Sequence, residues 1–219
     1  MKRAFSMLLM VISLALSICL IQKQVSAEDG KQVLLIIKER YGSADLQLME
    51  TNEAIMMKQT LEAADFKVNI ASASGRTFLI KNVTLESDFK LAEVILEDYV
   101  GFMITCSGLA NNISLDRKQV PAFGEAFSKP EEVVFAKLIV DSGKPVAAQS
   151  KAVIILAEAG VLAGKRYSYG DDIQLPGAIY GGQGVVQDGN IITSSFCPFN
   201  GQLDQTVEIT NALITELQK

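Results

Sequence analysis

Between Lys144 and Gly164 the chain reads KPVAAQSKAVIILAEAGVLAG, and that run fits few architectures. Val146–Ala148 is a short apolar strand, Gln149-Ser150 an abrupt turn, and Ala152–Ala159 a helix apolar on nearly every face. Gly160 stands just past the helix end, where the chain calls for positive φ. A strand that runs straight into a buried helix is half of a βαβ unit. It leaves its turn residue, Ser150, exposed at the carboxyl edge of a sheet, beside the unpaired N–H groups of the helix's first turn.

The remaining segments repeat this alternation. Gln32–Ile37 is a continuous apolar run of the kind covered on both faces, and Lys67–Ala71 and Gly101–Thr105 read as further buried strands. Leu46–Ala64 has helical spacing. Phe78–Ile80 and Val83–Leu85 are short strand candidates, and Leu91–Leu96 is a short helical stretch. Pro130 suits the first helical position, with Glu131 and Glu132 at the positive end of a helix reaching about Asp141. Lys165–Tyr169 reads as a strand, and Gly184–Gln187 and Asn190–Ser194 as a hairpin about Asp188-Gly189. Leu203–Leu217 closes the chain as an amphipathic helix with Leu203, Val207, Thr210, Ile214 and Leu217 on its inner face. Residues 28–219 therefore predict one α/β domain, a three-layer αβα sandwich on a mostly parallel sheet.

Residues 1–27 read as an export signal: a basic start at Lys2-Arg3, an apolar stretch over Leu8–Ile21, and small residues at Val25-Ser26-Ala27 before a cleavage point. The rival is an uncleaved N-terminal membrane anchor. The full chain carries a net charge of −5. Removing a leader with Lys2, Arg3, Lys23 and no acid leaves the rest more acidic, which disfavours nucleic acid and, after cleavage, membrane surfaces as partners. Localisation is thus expected to be periplasmic or extracellular. Cys106 and Cys197 are the cysteines beyond the leader, either two small buried residues or a disulfide. The sequence contains no histidine. Every imidazole base, Ser–His or Cys–His pair and His-ligated metal is thereby excluded, and neither a metal nor a cofactor is expected.

Among the residues that could carry chemistry, Glu53 falls on the stripe Met49, Glu53, Met56 or Met57, Thr60 and Ala64, which should face the sheet. A carboxylate there either meets a donor, lies in a pocket, or slips to the solvent edge of the stripe. Ser150 at the turn is a candidate nucleophile, although a serine in that place more often caps a helix. Lys151 beside it is a candidate base or a solvated lysine. Cys106 ends a strand at the same sheet edge, followed by Ser107, and Tyr169 ends another; packing explains either side chain equally well.

The order of these parts resembles the ThiJ/PfpI family of the class I glutamine amidotransferase-like superfamily. Gly160-Val161-Leu162-Ala163-Gly164-Lys165-Arg166, Tyr167-Ser168-Tyr169 and Asp188–Ser195 (DGNIITSS) match its later segments, and Ala147-Ala148-Gln149-Ser150-Lys151-Ala152-Val153 occupies its elbow. The resemblance implies a flavodoxin-like fold, an elbow nucleophile, a helix-borne glutamate at Glu53, an oxyanion loop at Thr105-Cys106-Ser107-Gly108, and a homodimer. Two departures weigh against the family's amidase, glyoxalase-type and thiol-sensing reactions. Ser150 stands where relatives keep a cysteine, and Lys151 where some keep a histidine. Three readings follow: a non-catalytic domain that keeps a small-ligand pocket lined by Glu53, Cys106, Ser107, Ser150 and Tyr169; a hydrolase using Ser150 with Lys151 or Glu53; and a redox role for Cys106.

Overall fold

The computed structural model describes residues 31–39, 53–80, 83–106, 128–170 and 174–219. The leader, Ser107 and the first part of the expected Leu46–Ala64 helix lie outside the described residues. Gln32–Lys219 is a compact unit. Its strands are β1 (Gln32–Ile37), β2 (Lys67–Ser72), β3 (Phe78–Ile80), β4 (Val83–Leu85), β5 (Phe89–Lys90), β6 (Gly101–Ile104), β7 (Val146–Gln149), β8 (Arg166–Tyr167), β9 (Ile179–Tyr180), β10 (Val185–Asp188) and β11 (Ile191–Ser194). The helices are α1 (Ile55–Glu62), α2 (Pro130–Asp141), α3 (Ala152–Glu158) and α4 (Thr206–Leu217).

Seven strands form one sheet in the order β10-β11-β7-β6-β1-β2-β5. All its pairings are parallel except the β10–β11 hairpin. The apolar runs explain this, because a parallel strand covered by helices on both faces has no polar side. On one face Phe135, Ala136 and Ile139 of α2 and Ala152–Leu156 of α3 pack on Leu34, Ile36, Phe102, Val146 and Ala148. On the other, Met57 and Leu61 of α1 and Ile209, Leu213 and Ile214 of α4 pack on Val33, Leu35, Met103, Ala147 and Ile192. These are the three layers expected.

The pairing register decides where the site lies. Ile36 pairs with Ile104, Ile104 with Ala148, and Ala148 with Thr193, so one level row crosses four strands near their carboxyl ends. Two residues beyond that row come Lys38, Cys106, Ser150 and Ser195. A crevice at this edge, next to the strand where sheet order reverses, is the usual ligand position of an open α/β sheet.

Several sequence expectations are corrected. Phe78–Ile80 and Val83–Leu85 are strands as expected, but they pair only with each other, antiparallel and outside the seven-stranded sheet, and the Leu91–Leu96 stretch is two single 3-10 turns, Leu91–Glu93 and Leu96–Asp98. The strands β5 and β9, two residues each, are too short to give a periodicity signal and are additions to the expected set. Most instructive is α4. It begins at Thr206, and its buried side chains are Thr206, Ile209, Thr210, Leu213 and Ile214, whereas Leu203 and Val207 are 58% and 47% exposed. Buried threonines shift the stripe: Thr210 Oγ1 donates to Thr206 O at 2.6 Å, and Thr206 Oγ1 donates to Asp204 Oδ1 at 2.6 Å. Leu213→Ala is therefore expected to lower stability by about 2–4 kcal/mol in urea unfolding. Leu203→Ala should stay within about 0.5 kcal/mol of the parent. Reversed sizes would restore the face expected from periodicity.

Candidate functional site

The strand-to-helix turn after β7 is built as the sequence predicts, with one difference in exposure. Ser150 has φ 49°, a left-handed conformation that non-glycine residues adopt only where surrounding structure holds them. It is held by a hydrogen bond from its own N–H to Ser194 O (2.8 Å) and by Val153 N–H donating to its carbonyl (3.0 Å). Before it, Gln149 is fully buried, and its Nε2 donates to Phe196 O (2.6 Å) and Thr206 Oγ1 (3.0 Å). Ser150 does not cap α3; no side-chain cap exists there, and Lys151 takes the cap position in helical conformation. Nor is Ser150 openly exposed as the turn predicts, for it is only 9% accessible.

What lies against it is Cys106. Cys197 packs on the Cys106 sulfur and disfavours its thiolate, while the Lys151 backbone and the Ser150 side chain beside it favour the thiolate. Both cysteines are buried thiols packed on each other. The Cys197 contact first, then burial, push the Cys106 thiol well above the usual cysteine range. At neutral pH this sulfur keeps its proton.

Glu53 is fully buried at the start of α1, where the helix opens with a wider π-type turn. The helical stripe therefore does face the sheet, and the carboxylate meets a donor: Cys106 N–H gives Glu53 Oε1 a hydrogen bond of 2.7 Å. The structure thus gathers Glu53, Cys106, Ser150 and the Lys151 backbone into one group, with Cys106 at its centre. Tyr169 is buried in the apolar cluster on the α2–α3 face, and its carbonyl accepts from Tyr180 Oη at 3.4 Å. Those contacts are those of a packed core tyrosine. Ser107, expected in the pocket, lies outside the described residues.

Sequence reasoning missed the charges beside this group. Lys38 and Glu39, directly after β1, are 1% and 2% accessible, and Glu132 in the first turn of α2 is 3% accessible. Burial pushes the Lys38 amine down, countered in part by the charges of Glu132 and Glu158. Burial pushes the Glu132 carboxyl up, countered by Lys38. Glu132 also accepts from Glu39 N–H (2.7 Å) and Lys129 N–H (3.0 Å). Glu39 Oε1 accepts from Ser74 N–H (2.7 Å) and Ser74 Oγ (2.6 Å), and Glu39 Oε2 pairs with Lys129 Nζ. The available signal was positional: two charged residues placed immediately after an apolar strand, at the edge where α/β proteins work.

Burial alone would raise the Glu39 carboxyl, but Lys129 and Ser74 outweigh it and hold it at about 2. A carboxyl depressed in the folded state adds stability above its unfolded value, and that stability is lost as pH falls through the folded value. Glu39→Gln is expected to cost about 2–3 kcal/mol at neutral pH. The gap to the parent should close between about pH 4.5 and pH 2, read by urea unfolding across that range. A pH-independent gap would remove this ion pair from the fold's support.

Comparison with known proteins places this geometry. The model of the DJ-1/PfpI family matches residues 44–200. Among solved structures, a ThiJ/PfpI domain protein from Brachyspira murdochii superposes with a TM-score of 0.64 at 20% identity, over 85% of this chain and 96% of its own. A two-domain protein from Anabaena variabilis, with DJ-1/ThiJ/PfpI-like and ferritin-like domains, gives 0.63 at 25% identity, over 86% of this chain and 48% of its own. Drosophila melanogaster DJ-1beta gives 0.56 at 24% identity, over 86% and 94%. No curated protein matches significantly.

Proposed function

The chain belongs to the DJ-1/PfpI family, and from that premise we propose that it is an exported member whose elbow binds a small oxygen-rich ligand without cleaving it. One arrangement carries the reading: buried Ser150 stands beside the buried Cys106–Cys197 pair, where the contact between the two thiols and burial push the Cys106 thiol up. A serine hydroxyl becomes a nucleophile only when a base in contact takes its proton. The Glu53 carboxylate accepts from the Cys106 N–H through Oε1. It is moreover too weak a base to ionise an alcohol to any useful extent. With no histidine in the sequence, no imidazole substitutes.

A Ser–Lys pair would need a neutral amine. Burial pushes the Lys38 amine, at the same sheet edge, in that direction. Its neighbours Glu132 and Glu158 nevertheless favour the ammonium. The hydroxyl and backbone N–H at Ser150–Lys151 suit a carboxylate or similar oxygen acceptor, which would compete with the Cys106 sulfur for them.

Two measurements test this. A fluorophosphonate probe is expected to leave the protein unlabelled; labelling that disappears in Ser150→Ala would establish the hydrolase instead. A panel of small acids such as acetate, lactate and malonate should include at least one that raises the melting midpoint. No shift with any member would remove the ligand site.

Export rests on the leader pattern and is read by N-terminal sequencing of the protein recovered outside the cytoplasm, which should begin at Glu28. A start at Met1 in the membrane fraction would establish the anchor. Homodimer formation follows the family's habit and is read by light scattering.

A further inference from the structure

The two cysteines meet in a way that sheet order alone does not require. Cys106 follows β6 and Cys197 follows β11, and β7 lies between those strands. Strands two places apart in a sheet stand roughly 10 Å from each other, beyond the span of about 7 Å that a disulfide bridges. Both segments must therefore bend toward each other over the end of β7, which is the elbow. Fixed backbone holds each of them there. Cys106 N–H is tied to Glu53 Oε1 at 2.7 Å. On the other side, Phe196 N–H donates to Gln205 Oε1 (3.1 Å), and Phe196 O accepts from Gln149 Nε2 (2.6 Å). The two sulfurs form a buried cluster of their own, with both residues at most 4% accessible.

We propose that Cys106 and Cys197 are a redox pair that closes to a disulfide across the elbow when a disulfide oxidant takes their two electrons. One thiol loses its proton and attacks a sulfur of the oxidant, forming a mixed disulfide and releasing one oxidant thiol. The second protein thiol then loses its proton and attacks the first, forming the Cys106–Cys197 bond and releasing the other oxidant thiol. Two protein thiols are oxidised, one disulfide is reduced, and the protons end on the released thiols. Burial and the high Cys106 value make this exchange slow in the folded dithiol form, so closure belongs to folding in an oxidising medium or to transient opening of the edge. This inference does not depend on the ligand reading above, and the oxidant is the exported compartment's disulfide pool or any equivalent small disulfide.

Refolding the full chain from urea in a mixture of reduced and oxidised glutathione tests it with both sulfurs accessible. After acid quench, alkylation and peptide mapping, the expected product is a crosslinked peptide holding Cys106 and Cys197, opened by dithiothreitol, with Cys19 mapped separately. The crosslinked form should melt about 5–10 °C above the dithiol form, because the bond closes a long loop in the unfolded chain. Cys197→Ala, refolded alongside, should give no crosslink to Cys106. The proposal is overturned if the parent refolds with both residues alkylatable, or if glutathione persists on either one. A crosslink that lowers the melting midpoint overturns it as well, since the folded geometry would then oppose the bond.

Discussion

One row of paired residues, Ile36–Ile104–Ala148–Thr193, sets what this molecule can do. Parallel pairing fixes the register, and register fixes which side chains emerge together where the strands stop. Because the four strands end nearly level, the residues two places on (Lys38, Cys106, Ser150 and Ser195) meet at one edge. A slip of one residue in β6 would replace the Cys106 sulfur with Thr105 or the Ser107 hydroxyl and remove the contact on which the local chemistry turns. The helices packed on both faces hold the register, since a slipped strand would exchange the side chains that fill the two cores.

The elbow adds strain to that frame. Left-handed backbone at a residue with a Cβ costs on the order of 1 kcal/mol, and at Ser150 it is sustained by Ser194 O on one side and the first turn of α3 on the other. Gln149 reinforces the arrangement by joining the end of β7 to the segment after β11 and to the start of α4. The same side chain that steadies the elbow therefore steadies the carrier of Cys197, so the elbow and the second thiol are positioned by one network.

The six longer strands of the main sheet, the βα turn, the positive φ at Gly160 and the three layers were legible because apolar runs and turn residues report local burial directly. Glu53 was legible too, through its place on a helical stripe. The α4 face was legible only in part: Thr210 and Ile214 lie inward as the spacing implies, but Thr206 is buried through hydrogen bonds that a hydropathy pattern does not register, while Leu203 and Val207 sit exposed. Lys38, Glu39 and Glu132 were illegible for a different reason. Residues 39 and 132 meet only through the fold, and a single sequence gives no sign that a charge after β1 will be satisfied from the first turn of α2. Ser150 was placed correctly, but its low exposure depends on Cys106 lying against it, a contact fixed by tertiary structure.

Moving a sulfur from the elbow to the loop opposite changes more than an address. A cysteine at the bend itself has its side chain beside the helix amides and open to a base, which favours the thiolate. In Cys106 the sulfur lies beside those donors from the neighbouring strand end and packs on a second thiol, and that contact together with burial favours the neutral form. Hydrogen bonds from Ser150 and Lys151 pull the other way without prevailing. The edge thus keeps the donors of a nucleophile's site while the Cys106 sulfur beside them stays protonated. Such a group can be displaced by a better acceptor or, in an oxidising medium, joined to its neighbour, and both outcomes use the same geometry.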